Sequence, residues 1–211
     1  MGIDNKKDEV KEAIDCNLLI LSGGVFKNYG KDEYIFQEGQ LPHFYHQVVE
    51  GKVKMLNETD DGKNFIQGFF SKGQSFGEPP IFGDYEYPAS AIAEQPSVII
   101  RLSISSFKQL LKENFDVHWN ITRLLSQRLK KKSVALKDFS CRTPEQRILT
   151  LLTNFKKEKL KENAEAKKIK IEYTRKQVAD MTGLRVETVI RVMRSLFEKN
   201  LLTIEKGKVY Y

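Results

Sequence analysis

The stretch that most constrains the fold is Thr174–Asn200, with the sequence TRKQVADMTGLRVETVIRVMRSLFEKN. Thr174 and Gln177 have the spacing of a capping box, in which each side chain accepts a hydrogen bond from the other residue's backbone N–H. Gly183 can adopt the left-handed conformation that ends a helix. The pattern therefore predicts two short helices joined by a tight turn.

The second of these helices begins near Arg185 and has two different faces. Its apolar stripe, at three- and four-residue spacing, consists of Val189, Val192, Met193 and Leu196. On the other face Glu187 and Arg191 lie one turn apart, so both can point into one DNA groove. A carboxylate can accept from the cytosine amino group, and a guanidinium can donate to guanine O6 and N7. The pair predicts base reading, although this spacing is also common in solvated ion pairs.

The charge distribution separates the chain into a neutral and a basic part. Residues 140–211 contain 17 Lys and Arg against 9 Asp and Glu, whereas residues 1–139 contain 18 against 19. The entire net charge of +7 therefore comes from the C-terminal third. This asymmetry favours a nucleic-acid-binding module attached to a neutral one.

The segment GLRVETVIRVM, residues 183–193, resembles the recognition helix of the Crp/Fnr family of bacterial transcription regulators. The resemblance implies that Glu187 and Arg191 contact bases and that Val186 and Ile190 tune base preference. Many members carry Ser or Thr where Arg185 stands. Arginine is a poorer helix cap, but it places a cation where a DNA phosphate would lie. We expect the phosphate contacts to come from Thr174, Arg185, Arg194, Lys206 and Lys208.

The sequence pattern of the N-terminal part is typical of an antiparallel β domain. After a charged, partly helical lead-in over residues 1–21, with Val10, Ile14 and Leu18 on one face, short β-rich runs alternate with glycine turns up to Ser103. One of the turn signals is Asp60-Asp61-Gly62. Many short strands at near-regular spacing predict a closed or double-layered antiparallel sheet.

A second resemblance covers about residues 25–103. EGQ at 38–40, VVEGKVKM at 48–55, DDG at 60–62 and KGQSFGEPPIFG at 72–83 resemble the β-roll of cyclic-nucleotide-binding domains. In nucleotide-binding members a Gly-Glu pair holds the ribose and an Arg-Ser pair holds the cyclic phosphate. Gly77 and Glu78 match the first pair, whereas Pro88 and Ala89 stand at the second. Neither of these can donate a side-chain hydrogen bond, and proline lacks even its N–H.

The residues of the candidate effector pocket are therefore Phe76, Gly77, Glu78, Pro88 and Ala89. Because this pocket lacks the Arg-Ser pair, we expect that its ligand is neither cyclic AMP nor cyclic GMP. Glu78 either binds another effector or holds its loop. An iron–sulfur cluster needs four thiolates, and the chain has two cysteines, Cys16 and Cys141. A haem ligand could come from His43, His46 or His118. In a cupin-like metal enzyme, His43 and His46 would point to opposite sides of one strand. We expect no cofactor and no metal.

Two helices follow the β region. Residues 105–113 predict a short one, and residues 116–139 predict a longer one with a stripe formed by Val117, Ile121, Leu124, Leu125, Leu129 and Leu136. This stripe is either intradomain core or the seam of a parallel coiled-coil dimer. We expect the seam, because the helix is long and lies between two candidate domains, where packing partners within the chain are few, and the family resemblance implies the same.

The C-terminal part has the order of a winged helix. Thr143-Pro144-Glu145-Gln146 carries the signals of a helix start, which predicts a helix over residues 142–157. The Lys- and Glu-rich residues 156–170 predict a loop, with a strand at 169–171. Residues 201–204 and 208–211 predict the hairpin that forms the wing.

These observations predict an α+β chain with a β-roll (jelly-roll-like) sensor over residues 1–115, a dimerisation helix over 116–139 and a winged helix-turn-helix over 140–211. Its function is that of a cytoplasmic Crp/Fnr-type regulator, with no enzyme activity, that binds a pseudo-palindromic operator in double-stranded DNA as a homodimer. No membrane association is expected, and contacts with RNA polymerase or a small-molecule effector stay open. The rivals are a cyclic-nucleotide-responsive regulator with an altered pocket, a cupin-like metal enzyme and a protein-binding adaptor.

Overall fold

The computed structural model describes residues 13–58, 64–162, 168–205 and 207–211, with the side chains of residues 138–140, 158, 161 and 162 left out. Four predicted features lie wholly or partly outside these residues. They are the lead-in before residue 13, the turn at 60–62, residues 163–167 of the predicted loop, and Lys206.

The chain forms two compact units, and the boundary between them falls at Lys130. In chain order the first unit contains α1 (Cys16–Leu21), β1 (Val25–Tyr29), β2 (Tyr34–Phe36), β3 (Phe44–Glu50), β4 (Lys52–Glu58), β5 (Asn64–Ser71), β6 (Ser75–Phe76), α2 (Pro79–Gly83), β7 (Ser90–Ala93), β8 (Ser97–Ser103) and α3 (Ile104–Glu113). The long helix α4 (Phe115–Cys141) crosses the boundary.

The strands form two four-stranded sheets, with the orders β1-β8-β3-β6 and β2-β7-β4-β5. The strand pairs whose register is determined are antiparallel, so the predicted double-layered β-roll is confirmed. Strand β3 contributes side chains to two separate hydrophobic cores, because successive side chains of a strand point to opposite faces of the sheet. Tyr45 belongs to a core with α1, α3 and the first half of α4, whereas Val48 belongs to a core between the sheets.

The residues of the predicted apolar stripe on α4 fall into two groups that differ in burial. Val117, Ile121, Leu124 and Leu125 pack in the core of the first unit, so the intradomain alternative holds for these four. Leu129 and Leu136 are instead 71% and 68% exposed. The side chains of this second pair therefore lie at the surface.

The second unit contains the remainder of α4, then α5 (Pro144–Glu162), α6 (Arg175–Thr182), α7 (Val186–Glu198), β9 (Thr203–Glu205) and β10 (Lys208–Tyr210). Strands β9 and β10 form the predicted hairpin. The strand expected at residues 169–171 is reduced to a single antiparallel bridge between Lys170 and Tyr210. One buried cluster joins the three helices to the wing.

One helix boundary was predicted wrongly. The loop expected from residue 156 begins later, because α5 continues to Glu162. Lysine and glutamate are good helix formers even without an apolar face, so the charged run extends the helix. Of the helices in the described ranges, none is long and apolar enough to cross a membrane.

Candidate nucleic-acid interface and effector pocket

The helix-turn-helix is held by the local bonds that its sequence predicts. Thr174 Oγ1 accepts from the Gln177 N–H at 3.1 Å, and Gln177 Oε1 accepts from the Thr174 N–H at 2.9 Å. Gly183 ends α6 with a φ of 63°, in the left-handed region. After the turn, α7 begins with Arg185 as its N-cap, and the Arg185 side chain makes no capping hydrogen bond.

Helix α7 presents its two faces as predicted. Val189, Met193 and Leu196 are buried in the core of the second unit, which fixes the rotation of the helix about its axis. Glu187 and Arg191 are exposed on the opposite face. Neither side chain forms a hydrogen bond or ion pair with any described residue. The Glu187–Arg191 ion pair, which this spacing would allow, is therefore not formed. Both side chains are therefore available to a ligand.

The other predicted DNA-contacting residues that lie in the described ranges are also at the surface, with one exception. Val186 is half-buried against the core, whereas Ile190 is exposed. Arg194 donates to Glu198 on the next turn at 3.3 Å. Such an exposed pair contributes little stability, so a phosphate could replace the carboxylate. The exposed set also includes Thr174, Arg185 and Lys208.

The candidate effector pocket contains a buried ion pair that the sequence reasoning missed. The side chain of Glu78 is 0% exposed, and its Oε2 accepts from Arg128 Nη1 at 2.7 Å. Arg128 Nη2 donates to the Ser75 carbonyl oxygen at 2.6 Å, and its guanidinium lies 5.3 Å from the centre of the Phe70 ring. Arg128 therefore reaches from α4 into the β-roll and neutralises the carboxylate that a ribose would meet in nucleotide-binding members.

Aromatic side chains occupy the space beside this carboxylate. The Phe36 and Tyr87 rings stack with their centres 3.6 Å apart and an interplanar angle of 7°. Gly77 has a φ of +74°, and a Cβ at this position would come within 2.8 Å of the Phe36 ring. Phe76 is fully buried and lies 6.0 Å from Phe36, ring centre to ring centre. Glycine is required here because the loop approaches the rings so closely.

Pro88 and Ala89, at the predicted phosphate end of the pocket, carry no charged donor in their own side chains. Ala89 is buried in the same cluster, and Pro88 is exposed with its carbonyl oxygen accepting from Asn57 Nδ2. Burial, and then the Glu78 carboxylate, raise the pKa of Tyr87. An open groove of about 590 Å³ reaches Pro88 and Tyr87 from outside but is not lined by Glu78.

The three histidines occupy different environments. His46 is buried and stacks on Phe76 with the ring centres 5.5 Å apart. Burial, followed by the charges of Arg101 and Lys27, lowers its pKa to about 3. His43 and His118 are exposed. Within the described ranges, no group of three or more His, Cys, Asp or Glu side chains is arranged to hold a metal ion.

Comparisons with known proteins match both units in the order of the chain. Residues 26–114 match the cyclic nucleotide-binding domain family, and residues 146–210 match the Crp-like helix-turn-helix domain family. The chain belongs to the Crp/Fnr family. It is a DNA-binding transcription regulator of that type, and the α+β fold predicted from its sequence is confirmed.

The relatives of this Crp/Fnr regulator cover most of its length. The cAMP-activated global transcriptional regulator CRP of Pasteurella multocida is 27% identical over 177 residues, which are 83% of this chain and 84% of that protein. The cAMP-activated regulator Vfr of Pseudomonas aeruginosa is 27% identical over 166 residues, 76% of each chain. The solved structure of the c-di-GMP-responsive regulator CLP of Xanthomonas campestris gives a TM-score of 0.76 at 20% identity, covering 92% and 98% of the two chains. These relatives are transcription regulators, which does not favour the cupin-like alternative.

Proposed function

We propose that this Crp/Fnr regulator is a cytoplasmic homodimer that reads a pseudo-palindromic operator and does not respond to cyclic nucleotides. The observation that carries base reading is the exposure of Glu187 and Arg191 on one face of α7, with no partner among the described residues. Their carboxylate and guanidinium match the edges of cytosine and guanine. Thr174, Arg185, Arg194, Lys206 and Lys208 supply phosphate contacts and hence salt-dependent affinity.

The dimer is supported by the exposed leucines of α4. Leu129 and Leu136 are seven residues apart, which is the repeat of a two-stranded coiled coil. In such a dimer each protomer contributes one copy of α7. Recognition helices about 34 Å apart then enter successive major grooves on the same side of the DNA.

Selection of bound sequences from random double-stranded DNA tests this function. We expect an inverted repeat whose half-site centres are about 10–10.5 base pairs apart. The control is the same selection with the Glu187→Ala/Arg191→Ala double variant, which should lose the repeat. A single unrepeated site would contradict the homodimer, and no enrichment at all would favour a protein-binding adaptor.

Cyclic AMP at millimolar concentration should leave the melting temperature unchanged. Pro88 and Ala89 offer the phosphate no charged donor, and the Phe36–Tyr87 stack fills the neighbouring space. A ligand at 100 times its Kd would add about 2.7 kcal/mol to the free energy of unfolding, which is several degrees in a domain of this size. The cAMP-activated relative from Pasteurella multocida is the positive control. A clear upward shift would establish the rival, a cyclic-nucleotide-responsive regulator.

A further inference from the structure

Two basic side chains lie on the face of the first sheet that is turned toward the interior of the β-roll. Arg101 of β8 is the cross-strand partner of His46 in β3. Lys27 of β1 is the partner of Ile99, two residues before Arg101. Paired residues, and residues two apart along one strand, project from the same face of a sheet. Because Ile99 belongs to the core between the two sheets, the other three side chains lie on the inner face as well.

Aromatic rings contact both of these cations. The guanidinium carbon of Arg101 lies 4.7 Å from the centre of the Phe44 ring. The Nζ atom of Lys27 lies 4.7 Å from the centre of the Tyr29 ring. A cation–π contact orients a cation but leaves its charge in place, and neither cation forms an ion pair with a carboxylate of the described residues. The inner face therefore holds two positive charges that no described carboxylate neutralises by direct contact.

Three buried polar atoms on the same face have no hydrogen-bond partner among the described residues. They are Tyr29 Oη, His46 Nδ1 and Arg101 Nε. Tyr29 and His46 are 3% and 4% exposed, and a polar atom at such depth costs free energy unless a partner satisfies it. Burial, followed by the charges of Arg101 and Lys27, lowers the pKa of His46 to about 3. The imidazole is therefore neutral at neutral pH and carries an N–H donor on one nitrogen.

We propose that this inner face is an anion site, where Lys27, Arg101 and the Tyr29 hydroxyl bind a phosphate or carboxylate group. The two cations and the hydroxyl donate charge-assisted hydrogen bonds to an oxyanion, and His46 adds an N–H in its Nδ1 tautomer. The site differs from the effector pocket at Glu78, whose carboxylate would repel the same ligand. The inference goes beyond the proposed function and depends on neither the homodimer nor the operator.

Nuclear magnetic resonance of the histidine rings tests the site in the full chain, which has three histidines. The His46 signal is assigned as the one that the His46→Asn variant lacks. It should shift saturably during titration with sodium phosphate or sodium succinate in the millimolar range, while sodium chloride keeps the ionic strength constant. His118, which lies on α4, is the internal control and should not shift.

Substitutions locate the bound anion. Arg101→Gln should weaken binding of the probe about tenfold or more, because it removes a charged donor. Lys27→Gln should weaken it severalfold, and since Lys27 is exposed, this second variant tests the site without a change in the core. The matched control is Lys112→Gln. Lys112 is an exposed lysine of α3, a helix that packs on the opposite face of the same sheet, and its replacement should leave the Kd unchanged.

The two probes distinguish the sources of the oxyanion. A shift with phosphate alone assigns the site to phosphate compounds, a shift with succinate alone assigns it to carboxylic acids, and either result supports the site. If neither probe shifts His46, the three buried atoms bind water only and the anion site is overturned. It is also overturned if the affinity survives both Arg101→Gln and Lys27→Gln, because the anion then binds elsewhere. Operator selection and the cyclic AMP measurement are separate, so failure of this site leaves the proposed function untouched.

Discussion

Replacing Arg128 with methionine should lower the free energy of unfolding of the β-roll unit by about 3 kcal/mol, because a buried carboxylate loses its cation. Glu78 is fully buried and Arg128 is three-quarters buried, with 2.7 Å between the paired atoms. The other carboxylate oxygen, Oε1, has no hydrogen-bond partner among the described residues. The variant would therefore leave the charge without compensation on either oxygen. The measurement is the urea midpoint followed by Trp119 fluorescence, which reports on the unit that contains the pair.

Two further variants isolate the ion pair from other effects of the substitution. Lys130→Met removes an exposed cation two residues away on the same helix, and its effect should stay within about 0.5 kcal/mol. Adding Glu78→Gln to Arg128→Met removes the unpaired charge, so the double variant should be more stable than Arg128→Met alone. Additive losses in this double-mutant cycle would mean that the two side chains are not coupled. A loss for Arg128→Met as small as that of Lys130→Met would contradict the structural role of the pair.

The helix-turn-helix was predictable from the sequence because its signals are local. The Thr174–Gln177 box and the turn at Gly183 each involve neighbours within a few residues, and both are present as predicted. The buried stripe of α7 follows from spacing alone. The roles of Glu187 and Arg191 on DNA stay predictions, since exposure makes a side chain available but does not show what it contacts.

The effector pocket was less predictable because its partners are distant in sequence. Phe36 and Tyr87 stack across 51 positions, and Arg128 meets Glu78 across 50. No local pattern indicates either contact. One signal for Arg128 was nevertheless present, since it follows Ile121 by seven residues and Leu124 by four. This spacing puts it on the face of α4 that packs against the β-roll, where a cation needs a buried partner.

Arg191→Ala should weaken binding to the selected operator by at least about tenfold while leaving binding to random DNA nearly unchanged. A forked guanidinium contact with guanine discriminates against a wrong base by about 1–3 kcal/mol, and 1.4 kcal/mol is a factor of ten. Arg191 is exposed and has no partner among the described residues, so its removal should not destabilise the fold. Fluorescence anisotropy with the operator and a scrambled duplex of equal length, at one salt concentration, measures both affinities.

Arg194→Ala is the matched control, one turn further along the same exposed side of α7. As a phosphate contact it should weaken binding to both duplexes alike and reduce the salt slope by about 1. Arg191→Lys refines the comparison, because lysine keeps the charge but loses the planar fork that two acceptors on guanine require. It should therefore bind random DNA as the native protein does and still lose operator affinity. If Arg191→Ala instead weakened binding to both duplexes equally, Arg191 would be one more phosphate contact, and sequence choice would belong to other residues of α7.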